Sequence, residues 1–203
     1  DVGPQLSDQK VEQRIVELDQ FWQSLYSKIN DEMAHLLPLL GNEQQQELFR
    51  NIAVRNDKFR EEFVDLNEAE MAERYSESLQ ENYENWIGAL THEQELAVKQ
   101  VARQLRSSAH LRLQRRQAWQ RGLQEILAKQ YSTQTMTERL RKFLSAFEVN
   151  DNKVMNEISD ANKRYIAKLT VQLSRTLTET QKAFFINKTD EYIRLFKNLA
   201  ENR

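Results

Sequence analysis

One short phrase constrains this chain more than any other feature: a leucine, a residue able to cap a helix, then acids, glutamines or amides ahead of a long amphipathic run. It occurs five times, at Leu6-Ser7-Asp8-Gln9, Leu40-Gly41-Asn42-Glu43-Gln44, Leu66-Asn67-Glu68-Ala69-Glu70, Leu90-Thr91-His92-Glu93-Gln94 and Leu177-Thr178-Glu179-Thr180-Gln181. A Ser, Thr or Asn side-chain oxygen accepts from the orphan N–H groups of a helix's first turn, and Gly is tolerated at that position. Thr91/Gln94, Asn67/Glu70 and Thr178/Gln181 have the three-residue offset at which a Glu or Gln side chain reaches back to the cap's own N–H. Five such starts in 203 residues predict a chain built from helices.

Only four Gly and two Pro interrupt a sequence rich in Gln, Glu, Leu, Arg and Ala, so helix propensity is favourable almost throughout. Charged residues are 30% and apolar ones 39%, enough for a thin core of the kind an elongated bundle has. The formal net charge of −2 gives no global bias toward nucleic acid or membrane. Cysteine is absent, which excludes a disulfide frame, a thiolate nucleophile and a Cys-based metal site. No apolar stretch approaches the roughly 20 residues that span a bilayer. The chain opens at Asp1-Val2-Gly3-Pro4, as a mature or trimmed protein would, and no signal peptide is visible.

Apolar residues spaced by three and four divide the chain into seven segments. The first, about 8–37, carries Val11, Ile15, Leu18, Trp22, Leu25, Ile29, Met33 and Leu36, and Pro38 and Gly41 close it. The second (43–65) carries Leu48, Ile52, Phe59 and Phe63, and the third (68–89) Met71, Tyr75, Leu79, Tyr83 and Trp86. The fourth starts at Thr91 and could run to about 130, with Ser107-Ser108 as an alternative cap where a kink or break is expected. Segments at 136–148, 153–176 and 179–200 follow, the first two separated by an Asn150-Asp151-Asn152 turn. The prediction is an all-α, elongated antiparallel bundle of six to seven helices. It forms a single domain over 1–203, with sub-lobes 1–130 and 131–203 as an alternative.

Charge is strongly segregated. Glu70, Glu73, Glu77, Glu81 and Glu84 form an acidic ridge opposite the apolar stripe of the third segment. In the fourth, no acid stands between Glu95 and Glu125, while Lys99, Arg103, Arg106, Arg112, Arg115, Arg116 and Arg121 do. Two readings are open: solvated helix faces, or a docking surface for an anionic partner such as an acidic protein, lipopolysaccharide or lipid headgroups. Nucleic acid is the weakest partner, because one basic helix without a known binding fold is poor support for it. On one unbroken helix Arg112 and Arg116 fall in phase with Leu105, Ala109, Trp119 and Leu123, and Arg55 falls in phase with Ile52 and Phe59. A core-facing guanidinium would need a carboxylate partner. The alternatives are a phase reset at Ser107-Ser108 or an anion site between helices.

His35, His92 and His110 lie on different segments without ligand spacing, so no metal and no cofactor are expected. No Gly-rich phosphate loop and no nucleophile elbow are present, and no catalytic residues are expected.

The stretch from Asn51-Ile52-Ala53-Val54-Arg55-Asn56-Asp57-Lys58-Phe59-Arg60 to Asp65, followed by Trp86 through Gln94, resembles an uncharacterised family of Gram-negative envelope lipoproteins. Those proteins pair an Arg-Asn-x-Lys-Phe-Arg-Glu-Glu helix with repeated Leu-Thr-x-Glu-Gln starts. The resemblance implies an all-helical, periplasm-facing protein without established activity, anchored by an acylated N-terminal cysteine that this chain does not contain. The Leu-Thr-x-x-Gln phrase also resembles small periplasmic chaperones of the envelope stress response.

The expectation is therefore a non-enzymatic periplasmic protein that binds an envelope protein or anionic envelope component, chaperone-like or as a scaffold. Arg103, Arg106, Arg112, Arg115 and Arg116 form its contact surface, with Arg55, Asn56 and Asp65 architectural. The rival is a lipid or small-molecule carrier with an apolar cavity lined by Trp22, Trp86 or Trp119.

Overall fold

The computed structural model describes residues 6–147 and 152–201. The Asp1-Val2-Gly3-Pro4 opening and the Asn150-Asp151 part of the expected turn lie outside the described residues. The described residues form eight α-helices and one 3-10 turn, with no strand. The helices are α1 (Asp8–Leu36), α2 (Asn42–Phe63), α3 (Glu68–Ile87), α4 (His92–Ala102), α5 (Ala109–Leu127), α6 (Thr133–Ala146), α7 (Lys153–Arg175) and α8 (Glu179–Glu201). All five leucine-led phrases stand at helix starts, those of α1, α2, α3, α4 and α8.

The count exceeds the expected six to seven because the fourth segment is two helices. After α4 the chain tightens, with Gln104 N–H donating to the Val101 carbonyl at 2.8 Å. A new helix then opens where Ser107 Oγ accepts from the Ala109 N–H at 3.2 Å. The alternative cap is therefore the one used. The sixth helix also begins earlier than its apolar stripe suggested, because Ser132 Oγ accepts from the Thr135 N–H at 3.3 Å. Pro38 acts as expected: α1 stops at Leu36 and Leu37–Leu39 forms the 3-10 turn.

Two compact units can be distinguished, each assembled from separated stretches of chain. The first comprises Glu68–Leu105 and Asn162–Arg203 with Asp1–Glu12, and the second Gln13–Asn67 with Arg106–Ala161. Residue 130 falls inside the second unit.

In the first unit α3 packs on α4 and α8. Ile87, Leu90, Ala97, Val98, Leu169 and Leu173 form its core, with Leu177 packed against them. At its centre two helix starts face each other. Thr91 Oγ1 accepts from the Gln94 N–H at 3.3 Å and Gln94 Oε1 accepts from the Thr91 N–H at 3.0 Å. Thr178 and Gln181 repeat this at 3.2 and 3.1 Å. The two amides then bond to each other in both directions, at 3.0 and 2.8 Å. Gln94 Nε2 also donates to the Thr176 carbonyl at 3.1 Å, and Gln181 Nε2 to the Ala89 carbonyl at 2.8 Å. Ala89 and Thr176 each stand two residues before their threonine, so the arrangement is a local pseudo-twofold. Each amide uses two donors and two acceptor sites, the full capacity of the group. That is why Gln94, 1% exposed, and Gln181, 4% exposed, can be buried without cost from unpaired atoms.

In the second unit α5 packs on α2 and α6. Leu123 and Leu140 are fully buried there, with Ala34, Leu37, Leu127, Met136 and Leu144 around them. Gly122 allows the close approach of α5 and α6, because a Cβ at that position would run into the Phe143 ring. Asn56 Nδ2 donates to Gln120 Oε1 at 2.9 Å, tying α2 to α5. Arg141 Nε donates to Asp31 Oδ1 at 2.6 Å and joins α6 to α1.

Several stripe positions expected in the core are open instead, namely Leu18, Trp22, Ile29, Leu36 and Trp86, and on α7 and α8 Val154, Tyr192, Phe196 and Leu199 are open as well. A periodic stripe shows which face can be buried, but burial needs a neighbour of matching length. Along these parts of α1 and α8 no described element covers the face. At the end of α3, Ile87 enters the core, while Trp86 turns out and stacks on Tyr192 at 5.3 Å. Arg55 is likewise exposed rather than aligned with the buried Phe59.

Candidate anion-binding groove

The arginines of the fourth segment are divided between the two units. Arg103 lies at the end of α4 in the first unit, where it and Lys99 line a cleft of about 920 Å³ with Glu73 and Glu77 of α3. Opposite charges therefore share this cleft, and the acidic ridge, with Glu70, Glu81 and Glu84 also exposed, faces solvent as its phase implied. Arg106 stands exposed in the connection between α4 and α5. Arg112, Arg115 and Arg116 come together on α5 in the second unit. Of the expected architectural set, Asn56 is buried, whereas Arg55 and Asp65 are exposed.

Around Arg112, Arg115 and Arg116 runs a groove of about 490 Å³. Its apolar wall is Trp119, Leu144, Phe147 and Met155. Gln23, Tyr26 and Asn30 of α1 also line it, and no carboxylate lines the groove among the described residues. Of the three tryptophans proposed for a cavity, only Trp119 lines it; Trp22 and Trp86 are 50% and 45% exposed.

The three arginines have different tasks. Arg115 Nη2 donates to the Phe147 carbonyl at 2.5 Å, and its guanidinium lies 5.9 Å from the Phe147 ring centre. Phe147 is the C-cap of α6, so this cation satisfies an orphan carbonyl at the negative end of the helix dipole. Arg112 and Arg116 instead converge on the Phe59 ring of α2, at 5.3 and 4.2 Å from its centre. No carboxylate among the described residues forms an ion pair with either. Burial, and then the neighbouring positive charge of Arg112, hold the Arg116 guanidinium below its ordinary pKa. It remains a cation, one turn from another cation and with an aromatic face beneath both.

Sequence reasoning found these arginines but not their surroundings. The wall contributed by α1 is invisible in the sequence, because Gln23, Tyr26 and Asn30 lie off that helix's apolar stripe. Trp119 shares the helix face of both arginines, as its spacing of seven residues from Arg112 and three from Arg116 implies.

Among the described residues no group of three or more His, Asp or Glu side chains could hold a metal ion, and no helix is long and apolar enough to cross a membrane. No curated protein and no solved structure matches the chain. Residues 2–150 match the model of a family of unknown function, DUF6279, and the chain belongs to that family.

Proposed function

We propose that this protein is a non-enzymatic binding protein of the bacterial envelope and that the groove of its second unit is the binding surface. Its task is to hold another envelope component, in a chaperone-like or scaffolding manner. It works on the periplasmic side and is lipid-anchored to the outer membrane in the full-length protein. The observation that carries this reading is the convergence of Arg112 and Arg116, without carboxylate partners among the described residues, beside an open aromatic wall. The wall continues along α1, where Phe21, Trp22 and Tyr26 are 62%, 50% and 56% exposed and Trp22 lies 6.3 Å from Tyr26. Cations beside exposed aromatics suit partners that are both negatively charged and apolar, with charge steering the encounter. All groove residues except Met155 fall within the stretch that matches the family. The resemblance carried by Asn51 to Asp65 supports the envelope location.

The test is site-directed photocrosslinking from position 23, on the rim of the groove, in isolated envelopes. Wild-type protein is expected to capture a discrete component, and the Arg112→Glu/Arg116→Glu variant to lose it. An unchanged crosslinking pattern in that variant would refute the groove as the binding surface.

The carrier reading has one observation in its favour: the groove volume lies within the range of about 300–1,000 Å³ typical of small-molecule sites.

A further inference from the structure

We infer that the groove on α5 takes a single-chain anionic amphiphile, a phosphate or carboxylate headgroup on one hydrocarbon tail. This inference rests on the reading of the groove as the binding surface and names the chemistry of its occupant.

Two features of the groove fix the two ends of such a molecule. The headgroup end is set by Arg112 and Arg116. Both guanidiniums lie over one Phe59 ring, so their N–H edges are left for an acceptor that the described residues do not supply. Guanidinium has five donors and no acceptor, so two adjacent guanidiniums can be satisfied only by an external oxygen-rich group or by water. An anion bridging them would also remove the repulsion between like charges one turn apart.

The tail end is set by the wall. Trp119, Leu144, Phe147 and Met155 present apolar surface next to the cations, and Tyr26 closes the other side. A free inorganic anion would leave this surface wet, and a neutral hydrocarbon would leave the guanidiniums without an anion.

Size and charge narrow the choice. About 490 Å³ of open groove accommodates one chain more readily than the paired chains of a membrane phospholipid. Arg112 and Arg116 line the groove without a described carboxylate partner, which favours an anionic headgroup. Arg115, engaged with the Phe147 carbonyl, positions the end of α6.

The test is calorimetric titration of the intact protein with dodecyl phosphate below its micelle concentration. Dodecyl maltoside, dodecyltrimethylammonium and inorganic phosphate are titrated in parallel, with tryptophan emission as a second readout. One dodecyl phosphate per chain is expected, with the other three probes at least about tenfold weaker. Arg112→Gln/Arg116→Gln is expected to weaken dodecyl phosphate about tenfold or more, while Arg112→Lys/Arg116→Lys, which keeps the charge but loses the planar fork, is expected to weaken it less. Tyr26→Ser, on an exposed part of α1, is expected to weaken dodecyl phosphate without disturbing the fold. Circular dichroism melts verify that each variant is folded.

Equal affinity for dodecyl maltoside, or for inorganic phosphate, would overturn the inference, as would indifference to the glutamine pair. If no amphiphile binds while crosslinking in envelopes still depends on Arg112 and Arg116, the amphiphile is wrong and the groove reading stands. If neither depends on them, both fall.

Discussion

At the centre of the first unit two glutamines are buried back to back, whereas in the second unit two arginines sit side by side on an open wall. Both pairs are polar and both are held by helices, yet one is closed and the other is not. The difference lies in the functional group. An amide carries donors and acceptors together, so Gln94 and Gln181 satisfy each other and the caps that bear them. A guanidinium only donates, so Arg112 and Arg116 cannot satisfy each other and stay at a surface. The first arrangement is a structural fastening, and the second is the surface proposed for binding.

The sharpest way to break this comparison is at the fastening. Gln94→Leu should destabilise the protein by about 3 kcal/mol, because it strands Gln181 and the Thr91 N–H in a dry site. Urea denaturation measures it. Gln94→Leu with Gln181→Leu should cost less than the sum of the two singles, since the second change removes atoms already left unpaired. Strict additivity would mean that the two amides act independently.

Two glycines come next. Gly88 ends α3 with φ of +77°, so Gly88→Ala should cost about 1–2 kcal/mol. In the second unit an alanine inside a helix ordinarily adds about 1 kcal/mol relative to glycine. Gly122→Ala should instead lose about 1 kcal/mol, because the Phe143 ring must move. Thermal melts of both variants test whether close packing governs the sign.

The arginines should separate by task. Arg115→Gln is expected to cost about 1 kcal/mol through loss of the bond to the α6 C-cap. Arg116→Gln should stay within about 0.5 kcal/mol of wild type, because it removes a cation that has no described carboxylate partner. An equal cost for both in denaturant titrations would erase the distinction between a structural and a ligand-facing cation.

The smallest effects are those of pH. Burial pushes the Tyr83 phenol of the first unit above its usual value near 10, with the Thr170 hydroxyl pulling the other way. A raised folded-state pKa means that its contribution is complete below the unfolded value and fades as pH rises through and beyond it. Tyr83→Phe should flatten the alkaline fall in melting temperature. In the second unit the hydrogen bond from Arg141 holds the Asp31 carboxyl below its ordinary value. That contribution is present above the unfolded value and is lost as pH falls through the folded one. Asp31→Asn should remove this slight acid dependence, seen as a flatter melting curve against pH at the low end.

The positions of the helices were legible because capping and periodicity are local. A threonine followed by a glutamine at the third position after it specifies a helix start whatever surrounds it, and Ser107 could be recognised as a second start within a basic run. The acidic ridge was legible for the same reason. The exposed faces of α1 and α8 were not, since Leu18 or Phe196 reads the same with or without a neighbour. Nor could the sequence separate Arg103, facing Glu73 and Glu77, from Arg112 and Arg116, facing aromatics. That outcome depends on which helix lies opposite.

By itself the sequence determined an all-helical chain, where most of its helices begin, and where the basic run is interrupted. Those decisions involve groups within about one turn of each other, whose distances the backbone already sets. Tertiary structure alone decided that Gln94 would meet Gln181, and that Trp86 would turn outward while Ile87 turned in. It also decided that two arginines would share one phenylalanine ring beside a wall from α1. Each of those pairings joins residues far apart in the chain or depends on what covers a helix face, and no local spacing encodes the position of a distant partner.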